Sequence, residues 1–182
     1  MKSAGAAVAS AERPDFSSIF EEEFDYVWFT LRRFGVGPSD LEDMTHEVFI
    51  QVYKHFPEYD GGRPIRPWLF GFAYRIAVGY RRLARHRVET LDERAGALAD
   101  PSPSAAEHID ARQGLELAWL ALQELDVDRK AVFILHEIEE RPIPEVAETL
   151  HIPLNTAYSR LRLARAEFAK ALHRVRARRG GA

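Results

Sequence analysis

Residues 142–176 read PIPEVAETLHIPLNTAYSRLRLARAEFAKALHRVR, and the spacing of their apolar positions decides the fold. Val146, Ala147 and Leu150 mark the inner face of a short amphipathic helix, which breaks at His151-Ile152-Pro153. A second helix opens near Pro153, where a missing N–H costs nothing in the first turn. Along it Leu154, Ala157, Leu161, Ala164 and Phe168 line one buried face, and the small Ala147 and Ala157 let the two helices approach closely. This is the pattern of a helix-turn-helix, whose second helix enters the DNA major groove. The opposite face carries Asn155, Thr156, Tyr158, Ser159, Arg162 and Arg165. Short hydrogen-bonding side chains near the helix start suit base edges, and arginines further along suit phosphates. A merely solvated helix face is the plain alternative. The charge ledger counts against it, because residues 151–182 hold eight Lys and Arg against one acid, Glu167.

The same ledger separates the rest of the chain into blocks. Net charge over all 182 residues is only −3. Yet residues 61–87 carry seven arginines (63, 66, 75, 81, 82, 85 and 87) and no acid, while 35–60 carry six acids against Lys54. Residues 112–150 hold nine acids against four bases. Alternating blocks of this kind imply two anion-binding surfaces and acidic surfaces reserved for another purpose. Salt bridging within the fold is the alternative. The chain has no cysteine, which excludes disulfides, a thiolate zinc site and a cysteine nucleophile. The most apolar stretch, Trp68 to Tyr80, is 13 residues long and contains Arg75, so no membrane span is expected. The first residues, MKSAGAAVASAERPDF, lack the apolar core of a signal peptide, and a cytoplasmic protein is expected.

Residues 1–14 read as a tail. From Asp15 to Phe34, Ile19, Phe20, Phe24, Val27, Trp28 and Leu31 follow helical spacing, and Gly35-Val-Gly-Pro stops that helix. Ser39 or Asp40 caps a second helix to about Phe56, with Leu41, Met44, Val48, Phe49, Val52 and Phe56 inward and an acidic outer stripe of Asp40, Asp43, Glu47 and Gln51. His46-Glu47 is no metalloprotease motif, since position 50 is Ile. A Pro/Gly-rich loop, 57–67, carries Tyr59, Arg63 and Arg66. The helix after Pro67 turns Trp68, Leu69, Phe72, Ala73, Ile76, Ala77 and Tyr80 inward and Arg75, Arg81, Arg82, Arg85 and Arg87 outward. Arginines interleaved with aromatic rings are what single-stranded nucleic acid requires, although Trp68 and Phe72 read first as core. Periodicity lapses over 88–106, a linker containing Pro-Ser-Pro-Ser. Beyond it one helix runs from about Glu107 to Leu125 and another covers about 128–138, ahead of the helix-turn-helix. The reading is all-α, in two small lobes joined by the linker, 15–87 and 107–176, with a basic tail at 177–182.

Three stretches resemble the small, two-domain extracytoplasmic-function (ECF) type of bacterial RNA polymerase sigma factor. DLEDMTHEVFIQVYKHF (40–56) resembles the core-polymerase-binding helix of the family's second region, and RPWLFGFAYRIAVGYRR (66–82) the adjoining promoter-melting segment. LDVDRKAVFILHEIEERPIPEVAETLHIPLNTAYSRLRLAR (125–165) resembles the fourth region with its helix-turn-helix. The resemblance implies that Asp40, Glu42, Asp43, His46, Glu47 and Gln51 dock on core RNA polymerase. It implies that Tyr59, Arg63, Arg66, Arg75, Arg81 and Arg82 hold the melted minus-ten strand, and that the helix after Pro153 reads the minus-thirty-five element of promoter DNA. Such a protein has no catalytic residues, needs no cofactor or metal, and commonly has an anti-sigma factor as partner. This chain departs from the family at Arg75, Gly79 and His46, and at His151, where a glycine usually makes the turn. Two rival readings stand beside it. One is a helix-turn-helix regulator that acts without being a polymerase subunit. The other is a helical hydrolase using Glu137, Glu139 and Glu140.

Overall fold

Every regular element among the described residues is a helix. The computed structural model describes residues 15–90 and 109–180, with the backbone alone at 85–90, 109–112 and 179–180. The expected tail at 1–14 and most of the expected linker lie outside these ranges, as do the side chains of Arg85 and Arg87. Helix α1 (Phe16–Arg33) buries Ile19, Val27 and Leu31, one face at helical spacing. Its stop follows from Gly35, whose φ of 85° is open to a residue without Cβ. Gly35 N–H reaches the Arg32 carbonyl (2.9 Å) and Val36 N–H the Leu31 carbonyl (3.2 Å), which closes the last turn as a Schellman motif.

Helix α2 (Leu41–His55) packs Leu41, Val48, Phe49 and Val52 against α1. Phe20 and Phe49 meet edge to face at 4.8 Å, and Phe16 and Tyr53 at 5.0 Å. Neither Ser39 nor Asp40 caps this helix through its side chain, contrary to the sequence reading. Asp40 instead turns towards the third helix, where its carboxylate accepts from the Tyr80 hydroxyl at 2.7 Å. Helix α3 (Ile65–Thr90) starts three residues earlier than expected and runs three residues into the expected linker. The early start costs little, because Pro67 falls in the first turn, where N–H groups have no helical acceptor.

The second lobe comprises α4 (Ile109–Gln123), α5 (Val127–Phe133), α6 (Ile143–Thr149) and α7 (Leu154–Gly180). Asp126 caps α5, accepting from Asp128 N–H (3.1 Å) and Arg129 N–H (3.0 Å). What read as one helix over 128–138 is α5 followed by a π-helical turn at Ile134–Ile138. Glu140 follows that turn with φ 55°. Helices α4, α5 and α6 all pack on α7, which buries Ala157, Leu161, Ala164, Ala171 and Val175. Leu154, expected on the buried face, is 44% exposed: it is the first residue of α7, and the buried face of that helix starts at Ala157.

His151 ends α6 in the same way that Gly35 ends α1. Its φ is 53°, its N–H reaches the Glu148 carbonyl (3.1 Å), and Ile152 N–H reaches the Ala147 carbonyl (3.0 Å). A Schellman turn therefore sets the angle between α6 and α7 with a non-glycine residue at its left-handed position. The buried residues of the two lobes form one continuous apolar cluster, from Ile19 and Phe49 to Leu161 and Ala164.

Candidate functional site

Three surfaces carry the residues singled out from sequence. On α2, Glu42, Asp43 and His46 are exposed, and His46 lies flat over Phe20 at 6.4 Å. Glu47 is half-buried and accepts from Gln51 Nε2 at 2.7 Å, so the two present one hydrogen-bonded pair. Asp40 is apart from this stripe, held by Tyr80. Ile50 and Tyr53, both largely exposed, border the acidic residues and add apolar area to the same helix.

On α7, Asn155, Tyr158, Ser159, Arg162 and Arg165 are exposed and Thr156 is half-buried. Tyr158, Arg162 and Arg165 border one shallow groove with Leu161 and Ala166. Arg165 is ion-paired with Glu137 (2.6 Å), whereas no ion pair holds Arg162 among the described residues. The α6 turn places the start of α7 outward, with its first polar residues at the exposed tip. The arrangement offers donors and acceptors to a base-pair edge, and cations to the backbone on either side.

The basic surface of the first lobe is less open than its composition suggests. Arg63 is exposed but pairs with Glu148 of α6 at 2.7 Å and lies 3.7 Å from Asp60. Arg66 bonds to the buried Glu23 (2.9 Å) and lies over the Tyr26 ring at 5.1 Å. Arg75 rests over the Phe72 ring at 4.4 Å, and its partial burial lowers the pKa of its guanidinium. Arg81 donates to the Phe34 carbonyl at the end of α1 (3.0 Å), and Arg82 is exposed. Tyr59 is only 4% exposed. Its ring packs against Trp68 at 4.9 Å and its hydroxyl donates to the Arg63 carbonyl at 2.5 Å, so it shapes the loop rather than offering an open face. A cleft of about 590 Å³ lies between this loop and α6, bordered by Tyr59, Arg63, Trp68, Arg75, Arg141 and Glu148.

Sequence reasoning missed the residues that join the lobes. The Tyr26 hydroxyl on α1 lies 3.1 Å from both carboxylate oxygens of Glu139, and Arg33 stands 3.9 Å from the same carboxylate. Burial, and then the Glu139 charge, push the Tyr26 phenol well above its ordinary range. Burial also raises the Glu139 carboxyl, against the opposing pull of Tyr26, Arg33, Arg141 and Arg66. Tyr74 on α3 donates to Asp128 (2.5 Å), and burial with that carboxylate pushes its phenol up to about 12. Arg160 completes this group from α7 at 2.8 Å. Further along, the Arg32 guanidinium sits between Trp28 and Trp119, 5.6 and 5.3 Å from the ring centres. Gln123 donates to the Arg33 carbonyl (3.3 Å) and accepts from Lys130 Nζ (3.1 Å). Lys130 is wholly buried, and its ammonium is brought down to about 7 by burial and by Arg81, against the pull of Asp126. The three glutamates of the hydrolase reading do not converge: Glu137 meets α7, Glu139 meets α1, and Glu140 is exposed.

Comparison with known proteins adds a family to this geometry. Residues 19–87 match the family model described as Sigma-70 region 2, and residues 115–168 match Sigma-70, region 4. The chain is 30% identical over 150 residues to RNA polymerase sigma factor CnrH of Cupriavidus metallidurans, covering 78% of each chain. It is 30% identical over 154 residues to ECF RNA polymerase sigma factor SigE of Mycolicibacterium smegmatis, covering 83% of this chain and 59% of that one. Among solved structures, the sigma factor RpoE in complex with the anti-sigma factor NepR from Bartonella quintana superposes with a TM-score of 0.68 at 15% identity, over 87% of this chain and 97% of that one. CnrH in complex with the cytosolic domain of CnrY gives 0.60 at 22% identity, over 87% of each. At these identities the two structures speak for the fold.

Proposed function

The chain belongs to the ECF group of the sigma-70 family, and from that membership we propose a division of labour among its surfaces. As a sigma factor it binds core RNA polymerase and directs promoter-specific transcription initiation. The observation that carries this is the presence of both regions, in order, in one chain. A helix-turn-helix regulator working without polymerase has no use for the first.

The exposed Glu42 and Asp43 of α2, with His46 and the half-buried Glu47–Gln51 pair, dock on a basic surface of the polymerase, and Ile50 and Tyr53 extend that contact. Arg63, Arg66, Arg75, Arg81 and Arg82 belong to the surface that holds the separated minus-ten strand, with Tyr59 bracing the loop. Holding an unstacked base offsets part of the few kcal/mol that unstacking costs. Asn155, Thr156, Tyr158, Ser159, Arg162 and Arg165 read and grip the minus-thirty-five duplex. Residues 15–87 and 107–176 are the two working lobes, 88–106 joins them, and 177–182 adds basic charge. The protein performs no bond chemistry of its own and works in the cytoplasm, where polymerase is. Because CnrH and RpoE were each solved with a protein partner, CnrY and the anti-sigma factor NepR, an anti-sigma factor is the expected partner here too.

Reconstitution tests the reading. Added to sigma-free core polymerase, the purified protein is expected to yield discrete transcripts from one promoter class. Duplex binding without polymerase and no promoter-specific transcript with it would favour the regulator.

A further inference from the structure

Resting on that reading, we propose that Glu137 is a positioning residue for duplex recognition: it holds one edge of the Arg165 guanidinium on α7 and so aims the other at a DNA phosphate. Of the three glutamates that sequence alone offered to a hydrolase, Glu137 is the one that meets α7. Its Oε1 lies 2.7 Å from Arg165 Nε and 2.6 Å from Nη2, so a single oxygen holds one edge of the guanidinium. Of the five guanidinium donors, that contact uses one N–H on each of these two nitrogens. The donors that remain have no other partner among the described residues, and the rigid plane of the group sets their directions. Arg165 is largely exposed and borders the shallow groove with Tyr158 and Arg162, so the free edge is open to a duplex.

The backbone under Glu137 is pinned on both sides. Phe133, one turn earlier, stacks on Phe168 of α7 with ring centres 4.8 Å apart. Four residues on from Phe133 and three back from Phe168, Glu137 and Arg165 meet, so the ring stack fixes the spacing of the ion pair. Ile134 and Leu135, between the two contacts, are fully buried. Past Glu137, the Glu139 N–H reaches the Ile134 carbonyl (3.0 Å), the Arg141 N–H reaches the Leu135 carbonyl (2.9 Å), and His136 Nδ1 lies 2.8 Å from the Arg141 carbonyl. Glu137 thus stands on the π-turn, a feature frequent at functional sites. An unheld arginine loses rotamer freedom when a phosphate fixes it, a loss equivalent to about two- to tenfold in affinity. Part of that loss is already taken when Glu137 holds the side chain in the free protein. A carboxylate beside a duplex also repels phosphate, so an acid that only repelled would weaken binding, whereas one that positions Arg165 strengthens it.

The test titrates holoenzyme, reconstituted from core polymerase and the full chain, onto a labelled promoter duplex that it transcribes, over a range of salt. Glu137→Gln keeps the shape of the side chain and removes its charge. Although it takes an acid away from a DNA-binding surface, it is expected to lower affinity about two- to tenfold. The salt slope should stay level, because Arg165 still reaches its phosphate, and the Tm of the free chain should stay near wild type. Glu140→Gln, the same charge change at an exposed position three residues on, should not lower affinity. In an Arg165→Ala background Glu137→Gln should have no further effect, since the group it positions is gone. Unchanged or tighter binding by Glu137→Gln overturns the proposal, as does a loss that persists without Arg165. Duplex affinity that stays unchanged in both Arg162→Ala and Arg165→Ala overturns instead the reading on which it rests, that α7 grips the upstream element.

Discussion

Arg162 and Arg165 stand one turn apart on α7 yet keep different electrostatic company. Arg165 is held by Glu137, an exposed pair worth roughly 0–1 kcal/mol that leaves the other guanidinium edge open to a phosphate. Arg165→Ala is therefore expected to weaken promoter binding alike on all sequences and to reduce the salt slope by about one. Arg162 has no such pair, and Arg162→Ala should cost about 1–3 kcal/mol on the cognate upstream element and relax its sequence preference, as titrations of holoenzyme on variant duplexes would show. Tyr59 changes meaning once its burial is known. Tyr59→Phe loses one hydrogen bond, about 0.5–1.5 kcal/mol, whereas Tyr59→Ala empties the space beside Trp68 and should cost about 3–5 kcal/mol of stability in denaturant titration. Lys130 yields a pH dependence. Its folded pKa lies below the unfolded value, so between about pH 7 and the ordinary lysine range the unfolded chain binds more protons and this group makes stability rise with pH. Lys130→Met removes the buried cation facing Gln123, Arg81 and Asp126. Its Tm advantage over wild type should be greatest near pH 7 and shrink towards pH 9, and a constant gap would mean that the ammonium is solvated.

At the scale of elements, helical periodicity located the α-helices described in both lobes, because an amphipathic face leaves its spacing in the sequence. The turn at His151 was legible as an unusual residue in a left-handed position, and its φ of 53° bears this out. His151→Gly should stabilise the protein by about 1 kcal/mol, the order of the left-handed penalty for a residue with Cβ. A lower Tm for that variant would mean that the histidine side chain makes a compensating contact. What escaped the sequence were features set by contacts distant along the chain. Asp40 had the spacing of a stripe residue, and only the arrival of Tyr80, 40 positions later, draws it aside. The π-turn at Ile134–Ile138 leaves the apolar count unchanged while shifting its phase, so 128–138 read as one helix. The acidic face of α2 yields its own expectation: Asp43→Lys with Glu47→Lys should abolish co-purification with core polymerase while helix content stays level.

For the whole molecule, the charge blocks were visible from sequence but their partners were not. The acids of 112–150 read as a surface reserved for another purpose, and three of them face the first lobe in the folded chain. Pairing across 54 to 113 positions leaves no periodic trace, which is why Tyr26, Tyr74 and Glu139 went unnoticed as a set. In the proposed function, one chain addresses two promoter elements through separate basic surfaces. That division is tested most directly by selecting a randomised promoter library with holoenzymes carrying wild-type, Arg162→Ala or Arg63→Ala chains. Arg162→Ala is expected to relax preference in the upstream element alone, and Arg63→Ala to alter the downstream, melted element alone. Loss of downstream preference from Arg162→Ala, or of upstream preference from Arg63→Ala, would contradict that division.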